Sequence, residues 1–304
     1  PLLPQQRFWD LYPADLDLSA TGNEPPSHRP PHFRRMWETH HRVPWEYAAS
    51  GEPMIEGDRR HWRGTLACVT QVDDVFGMLL GFLEERGLAD NTIVIYSSDH
   101  GAYHGIHGIR EKAPGICSDA VCRIPLLWRV PGAAPTGTIH EALVEAVDFA
   151  PTLAALCGLP PMPGVDGCDL TPLLTGQAAQ VREVAVTENP WSKSLRWGRW
   201  RFVHYQRAMF DGQDEGELYD IEADPDETRN LYGDAEAQPV VNACRRLLLE
   251  WLIGTTRITT TQPTTIATGS WREVTRCTYP VCADGRAPNG IQPRFHANRN
   301  VMYL

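Results

Sequence analysis

At 304 residues the chain is long enough to bury a large core, as one domain or as a large one with an appendage. Its 28 Lys and Arg against 38 Asp and Glu give a formal net charge of −10, which argues against a general nucleic-acid binder and leaves any anionic ligand to local cations. No uninterrupted run of about eighteen apolar residues is present, so no membrane span is predicted.

The chain opens at Pro1 with no charged-then-apolar leader, and is read as a processed or truncated product. Residues 1 to about 60 are dense in Pro, His, Arg and aromatics with little periodicity, predicting ordered loop with short helical pieces over a scaffold. His40 and His41, beside Arg34 and Arg35, are candidate substrate-binding rim residues, and a solvated cluster is the plainer alternative. From Arg59 to Gly87 apolar residues recur at three- and four-residue steps, predicting a helix that stops at Gly87. Ala89, Asp90 and Asn91 then make a turn.

Ile93 to Tyr96 is a short apolar run suited to a strand covered on both faces, as in a parallel sheet. It stops at Ser97, Ser98, Asp99, His100 and Gly101, and such polar residues belong at the carboxyl edge of an α/β sheet, where ligand sites lie. A carboxylate beside an imidazole is a candidate metal-ligand pair. His104, His107 and Lys112 follow among Gly101, Gly105 and Gly108, an arrangement that suits an anion site and equally a solvated, His-bearing loop.

Residues 124–130 predict a second buried strand, and residues 140–156 a short strand or turn followed by a helix begun near Asp148 with Pro151 in its first turn. Beyond about residue 181, residues 184–187, 194–197, 200–205 and 217–219 predict a small antiparallel sheet, covered by an amphipathic helix over 239–252. Asp224 and Pro225 form a turn whose acidic residues are expected to cap and to face solvent. Residues 254–304 are Thr-rich at first and predict a tail, loosely ordered or embracing a second copy in a homo-oligomer. The cysteines, at 68, 117, 122, 157, 168, 244, 277 and 282, include no CxxC pair; Cys117/Cys122 and Cys277/Cys282 are each separated by four residues. The pattern predicts free thiols and, with them, a cytoplasmic location.

Ser98-Asp99-His100-Gly101, Gly105-x-His107-Gly108, Lys112, Arg123-Ile124-Pro125-Leu126 and Pro131-Gly132 together resemble the second signature region of the sulfatases, in the alkaline phosphatase superfamily. The resemblance continues through Asp148-Phe149-x-Pro151-Thr152, residues 165–176, and Leu218-Tyr219-Asp220-Ile221 to Asn230-Leu231. It implies an α/β fold: part of an alkaline-phosphatase-like mixed or parallel sheet sandwiched by helices, plus the small C-terminal antiparallel sheet. The division expected is 1–180 for the second half of that core, 181–253 for the C-terminal subdomain and 254–304 for the tail.

By the same resemblance Asp99 and His100 are metal ligands, Lys112 and His107 are catalytic, and His104 is a lesser substrate-binding candidate. The substrate implied is a small sulfate ester, with a phosphonate monoester or phosphodiester as the alternative and a non-catalytic, partner-binding remnant as a third reading. The cofactors implied are one divalent ion, manganese or calcium with zinc also open, and a formylglycine nucleophile. The family makes that nucleophile from a Cys or Ser in Cys/Ser-x-Pro/Ala-x-Arg, and neither Cys122-Arg-Ile-Pro125 nor Cys277-Thr-Tyr-Pro280 fits. This chain therefore holds no nucleophile, and its expected partner is the N-terminal half of such an enzyme, on the same or a separate chain. Standing alone, the sheet would expose edges and apolar faces.

Overall fold

The computed structural model describes residues 3–18, 29–42, 54–109, 112, 117–133, 135 and 137–256, so the predicted tail lies outside the described residues except at its start, where Gly254 and Thr255 are helical. The amino-terminal third is helical. Helix α1 (Gln6–Trp9) is a single turn, α2 (Pro31–Arg42) begins at a proline, which is preorganised for the first helical position, and α3 (Met54–Glu85) runs for 32 residues. Helix α3 starts five residues before the apolar periodicity does. It ends where predicted: Gly87 takes φ +65°, and the Leu88 amide donates to the Leu83 carbonyl at 2.8 Å, closing a left-handed C-cap.

Strand β1 (Val94–Ser97) follows a 3₁₀ turn over Ala89–Asn91, and pairs with β2 (Leu126–Arg129), with Val94 opposite Arg129 and Ser97 opposite Leu126. The pairing is antiparallel, not the parallel arrangement read from the apolar run; composition reports burial, and strand direction is set by the connection. Between the strands lies the one-turn α4 (Asp119–Cys122), capped by the Ser118 hydroxyl, which accepts the Ala120 N–H.

Beyond β2, α5 (Phe149–Leu156) is seated by Asp148. That carboxylate is fully buried, accepts the N–H groups of Glu145 and Cys168 at 2.7 Å each, and pairs with Arg182. Thr152 continues the joint, donating to the Asp148 carbonyl at 2.6 Å and accepting from Leu170 just before α6 (Thr171–Leu174).

Strands β3 (Val184–Glu188), β4 (Ser192–Trp197), β5 (Trp200–Tyr205) and β6 (Gly216–Asp220) form an antiparallel sheet in sequential order. The long helix α7 (Gln238–Thr255) covers one face, burying Val241, Cys244 and Leu248 against Leu195, Phe202 and Leu218. On the other face Val203 and Tyr205 pack with Phe210 and Cys117, so the sheet leans on the loop that leads into β2.

Helix α3 departs from the sequence reading in one respect. Residues Glu56–Glu85 are long and apolar enough to cross a membrane by length and composition, with Asp73 and Asp74 interrupting what a search for an unbroken run detects. Residues 5–16 strap one side of the helix, through Gln5 to Gln71 and Tyr12 to Thr70, and Phe76 meets Tyr96 of β1 edge-on. Val72, Val75, Met78, Leu79 and Phe82 remain about half or more exposed, from 48% to 69%.

Candidate active site

The end of β1 is pinned before the chain turns: the Ser97 hydroxyl donates to the Pro125 carbonyl at 3.0 Å, and Ser98 donates to the His100 carbonyl at 3.0 Å. In the bend between, the His100 amide donates to Asp99 Oδ1 at 2.9 Å. His100 Nδ1 lies 2.9 Å from the Gly101 carbonyl oxygen, which can only accept, so Nδ1 carries the proton and Nε2 presents its lone pair. That Nε2 is 3.3 Å from Asp99 Oδ2. A carboxylate and an imidazole held at this distance suit a shared cation, whether a proton or a metal ion. Burial raises the Asp99 pKa, but the His100 amide, the positive charge that His100 carries when protonated and the Ser98 hydroxyl outweigh it and leave the carboxyl below its ordinary value.

Asp99 and His100 therefore fit as two ligands of one divalent ion, with the His100 tautomer fixed by a carbonyl as metal-bound imidazoles commonly are. Among the described residues no group of three or more His, Cys, Asp and Glu side chains converges to complete the set.

The loop beyond is wound tightly. His104, Gly105, His107 and Gly108 have φ of +48°, +96°, +57° and +68°, and left-handed backbone at two histidines is a strained conformation that surrounding packing must enforce. Tyr103 and Ile109, both fully buried with Phe33 of α2 and Val121 of α4, supply that packing. Gly101 is needed for close approach: its amide donates to the Val121 carbonyl at 2.8 Å, and a Cβ there would overlap the Ala120 carbonyl oxygen. Gly101→Ala is thus expected to push α4 off the loop and lower stability by about 2 kcal/mol or more, read from urea unfolding midpoints.

The sequence-predicted residues divide as follows. His104 is docked on α3, with Nδ1 2.8 Å from His61 Nε2 and its carbonyl accepting the Trp62 indole N–H at 2.5 Å, so the structure gives it a packing contact in place of a free imidazole. His107 is turned toward Arg29, whose Nη2 lies 2.9 Å from Nε2 and 3.2 Å from Nδ1. Burial first, then the Arg29 and Arg201 charges, lower the His107 pKa to about 3. At neutral pH His107 is therefore uncharged and faces a guanidinium. Lys112 is half-buried, on a loop whose residues 110–111 and 113–116 lie outside the described ones. His40 and His41 occupy the last turn of α2, with side chains outside the described residues.

Sequence reasoning missed the charged joint behind the loop. Glu227, read with the solvated acids of its turn, is 1% exposed: Oε2 pairs with Arg201 at 2.5 Å and Oε1 accepts the Asp119 amide at 2.9 Å. Burial pushes the Glu227 pKa up, against the pull of Arg201. Arg201 also reaches the Cys117 carbonyl, and the fully buried Glu217 accepts the hydroxyls of Tyr205 and Tyr219 while Arg29 stands 3.6 Å away. Asp224 behaves as read, accepting the amides of Thr228 and Arg229. The missed signal was a left-handed Glu, φ +54°, in a turn rich in charge.

Two buried imidazoles make this region acid-sensitive. His107, near 3, and His32, lowered to about 4 mainly by burial with Glu217 opposing, both take up protons in the unfolded chain near its ordinary value of 6.5 and in the folded chain only well below it. Their contribution is complete above pH 6.5 and is lost as pH falls from there toward 4. Urea unfolding at pH 7 and pH 5 is expected to show a loss at pH 5 that His107→Gln reduces; an equal loss in that variant would refute the assignment.

Comparison with known proteins gives the chain as a whole its relatives. A family model described as Sulfatase matches residues 27–159, and one described as N-sulphoglucosamine sulphohydrolase, C-terminal, matches residues 105–252. An N-acetylglucosamine-6-O-sulfatase of Bacteroides thetaiotaomicron is 34% identical over 190 residues, 59% of this chain and 33% of the relative. A choline-sulfatase of Rhizobium meliloti is 28% identical over 239 residues, 76% of this chain and 44% of that one. A structure solved in complex with its substrate D-glucosamine-2-N,6-O-disulfate superposes with a TM-score of 0.59 at 28% identity, covering 74% of this chain and 48% of its own. The phosphonate monoester hydrolase of Silicibacter pomeroyi, at 24% identity and a TM-score of 0.65, covers 81% and 51% and shares the fold. The chain spans about a third to a half of the length of these relatives.

Proposed function

We propose that this chain, similar to the sulfatases over residues 27–159 and to a sulphohydrolase C-terminal model over 105–252, forms the C-terminal half of a metal-dependent enzyme that hydrolyses sulfate esters. The observation that carries the reading is the Asp99–His100 pair, an exposed carboxylate and a correctly tautomerised imidazole 3.3 Å apart at the end of β1. A divalent ion held there would polarise an ester oxygen. Asp99 and His100 orient toward it, and Lys112 offers a charge-assisted donor to the remaining oxygens or the leaving group. With two ligands of the four to six that such ions take, we assign the other ligands and the formylglycine nucleophile to an N-terminal half, on the same or a separate chain. The half-exposed apolar side chains of α3 support that assignment, since a face of this size is normally covered. A cytoplasmic location belongs to the same proposal, resting on the free thiols at Cys68, Cys117, Cys122, Cys157, Cys168 and Cys244.

The test is kinetic. The chain joined to that other half and loaded with manganese or calcium should turn over an aryl sulfate, with an aryl phosphonate measured in parallel; activity on the phosphonate alone would reassign the substrate, and inactivity on both would sink the reading. Lys112→Ala is expected to lower kcat/KM on the sulfate by about 10²-fold. An unchanged rate would remove Lys112 from the site.

A further inference from the structure

The loop from Gly101 to Ile109 is gripped from several elements, and the grips differ in kind. Toward α2 and α4 it packs, with Tyr103 and Ile109 buried against Phe33 and Val121. Toward α3 it is held by directed bonds at His104. Nδ1 of that residue lies 2.8 Å from His61 Nε2, and its carbonyl accepts the Trp62 indole N–H at 2.5 Å. Its ring also meets those of His61 and Trp62, at centroid distances of 4.9 and 5.2 Å.

Apolar packing is non-directional and lets a loop rotate about its contacts, whereas hydrogen bonds to a ring nitrogen and to a carbonyl fix a residue's orientation. Orientation is what His104 requires, since its φ of +48° is a strained conformation that persists only where the surroundings impose it. A neutral imidazole carries one N–H, so between the two rings one nitrogen donates and the other accepts, and the contact is satisfied without a charge. Burial lowers the His104 pKa and keeps that residue in the neutral form at pH 7.

The place of His104 in the chain gives the grip its consequence. It stands at the reversal between His100 and Lys112. The reversal is closed from within, by the Ile106 amide on the Tyr103 carbonyl at 2.8 Å and the Gly105 amide on the Ile109 carbonyl at 2.7 Å. The loop therefore moves as a unit, and its orientation on α3 sets where the chain departs toward Lys112.

We propose that His61 of α3 is a positioning residue, which acts through His104 to hold the loop joining the Asp99 and His100 pair to Lys112. Its meaning for turnover rests on the sulfatase reading above; the grip itself does not.

His61→Leu keeps an apolar side chain and removes the bond to His104, while His61→Gln places an amide near the position of Nε2, able to donate or accept. Trypsin reads the loop without turnover, because it cuts after Arg110 and Lys112. In the chain assembled with its other half, His61→Leu should be cut at these two sites several-fold faster than the parent, with other sites unchanged, and His61→Gln should restore the parental rate. Equal cutting of His61→Leu and the parent would overturn the proposal. So would faster cutting at every tryptic site alike, which reports a loss of stability at large. On an aryl sulfate, His61→Leu should lower kcat by about 10-fold with KM and bound metal retained, and His61→Gln should recover it. A raised KM at unchanged kcat would make His104 a substrate contact and overturn the positioning role. An assembled protein that shows the change in cutting but hydrolyses no sulfate ester fails the functional reading alone.

Discussion

Asp99→Ala, in the chain assembled with the other half of its fold, is expected to lower kcat/KM on an aryl sulfate by about 10³-fold, the several kcal/mol that a bound cation contributes to a developing charge. The loss should be accompanied by loss of bound metal, measured by elemental analysis after dialysis. The reasoning lies in the geometry of the bend. Asp99 Oδ1 is occupied by the His100 amide at 2.9 Å and the Ser98 hydroxyl at 3.3 Å, so Oδ2 is the oxygen turned toward His100 Nε2. Alanine removes the ligand and also the acceptor that holds the His100 backbone. Asp99→Asn separates these effects, since its amide oxygen can still accept while the negative charge is gone; metal should be lost with stability retained. A rate within tenfold of the parent for Asp99→Ala would show that the pair is a turn motif and not a metal site.

The largest effect on stability is expected at Glu227. Glu227→Ala leaves Arg201, whose side chain is 2% exposed, without its closest carboxylate, and removing one partner of a buried pair costs about 3–5 kcal/mol. The Asp119 amide loses its acceptor as well, so α4 loosens from the C-terminal sheet. Urea denaturation followed by tryptophan fluorescence would report a lower midpoint. The double variant Arg201→Met, Glu227→Leu removes both charges and should recover a large part of the loss. A single variant within 1 kcal/mol of the parent would mean that the joint is energetically idle.

How far the sequence revealed these features depends on how local each one is. The four strands from Val184 to Asp220 and the covering helix were readable, because short runs separated by Gly and Asp suggest an antiparallel sheet directly. That Asp99 and His100 stand side by side just beyond β1 was readable for the same reason: adjacent residues at a strand end need no tertiary information. The start of α3 was not, because Glu56, Gly57 and Asp58 carry no apolar periodicity although they are helical. The partner of Glu227, Arg201, lies 26 positions away, and Arg29 lies 78 positions from His107, so neither contact was legible locally. Charge in a turn predicts solvent exposure until a distant opposite charge arrives. Direction of pairing between β1 and β2 was likewise invisible, since an apolar run looks the same whichever way its neighbour runs.

The contacts that fasten the C-terminal sheet to the site loop have a particular chemistry. Arg201 takes hold of the Cys117 carbonyl and Glu227 of the Asp119 amide, while the Cys117 side chain adds contacts of its own to Asn189, Val203 and Tyr205. Two of the holds are therefore blind to side-chain identity and one is not: a replacement at Asp119 leaves both main-chain bonds in place, whereas a replacement at Cys117 is felt directly by the sheet.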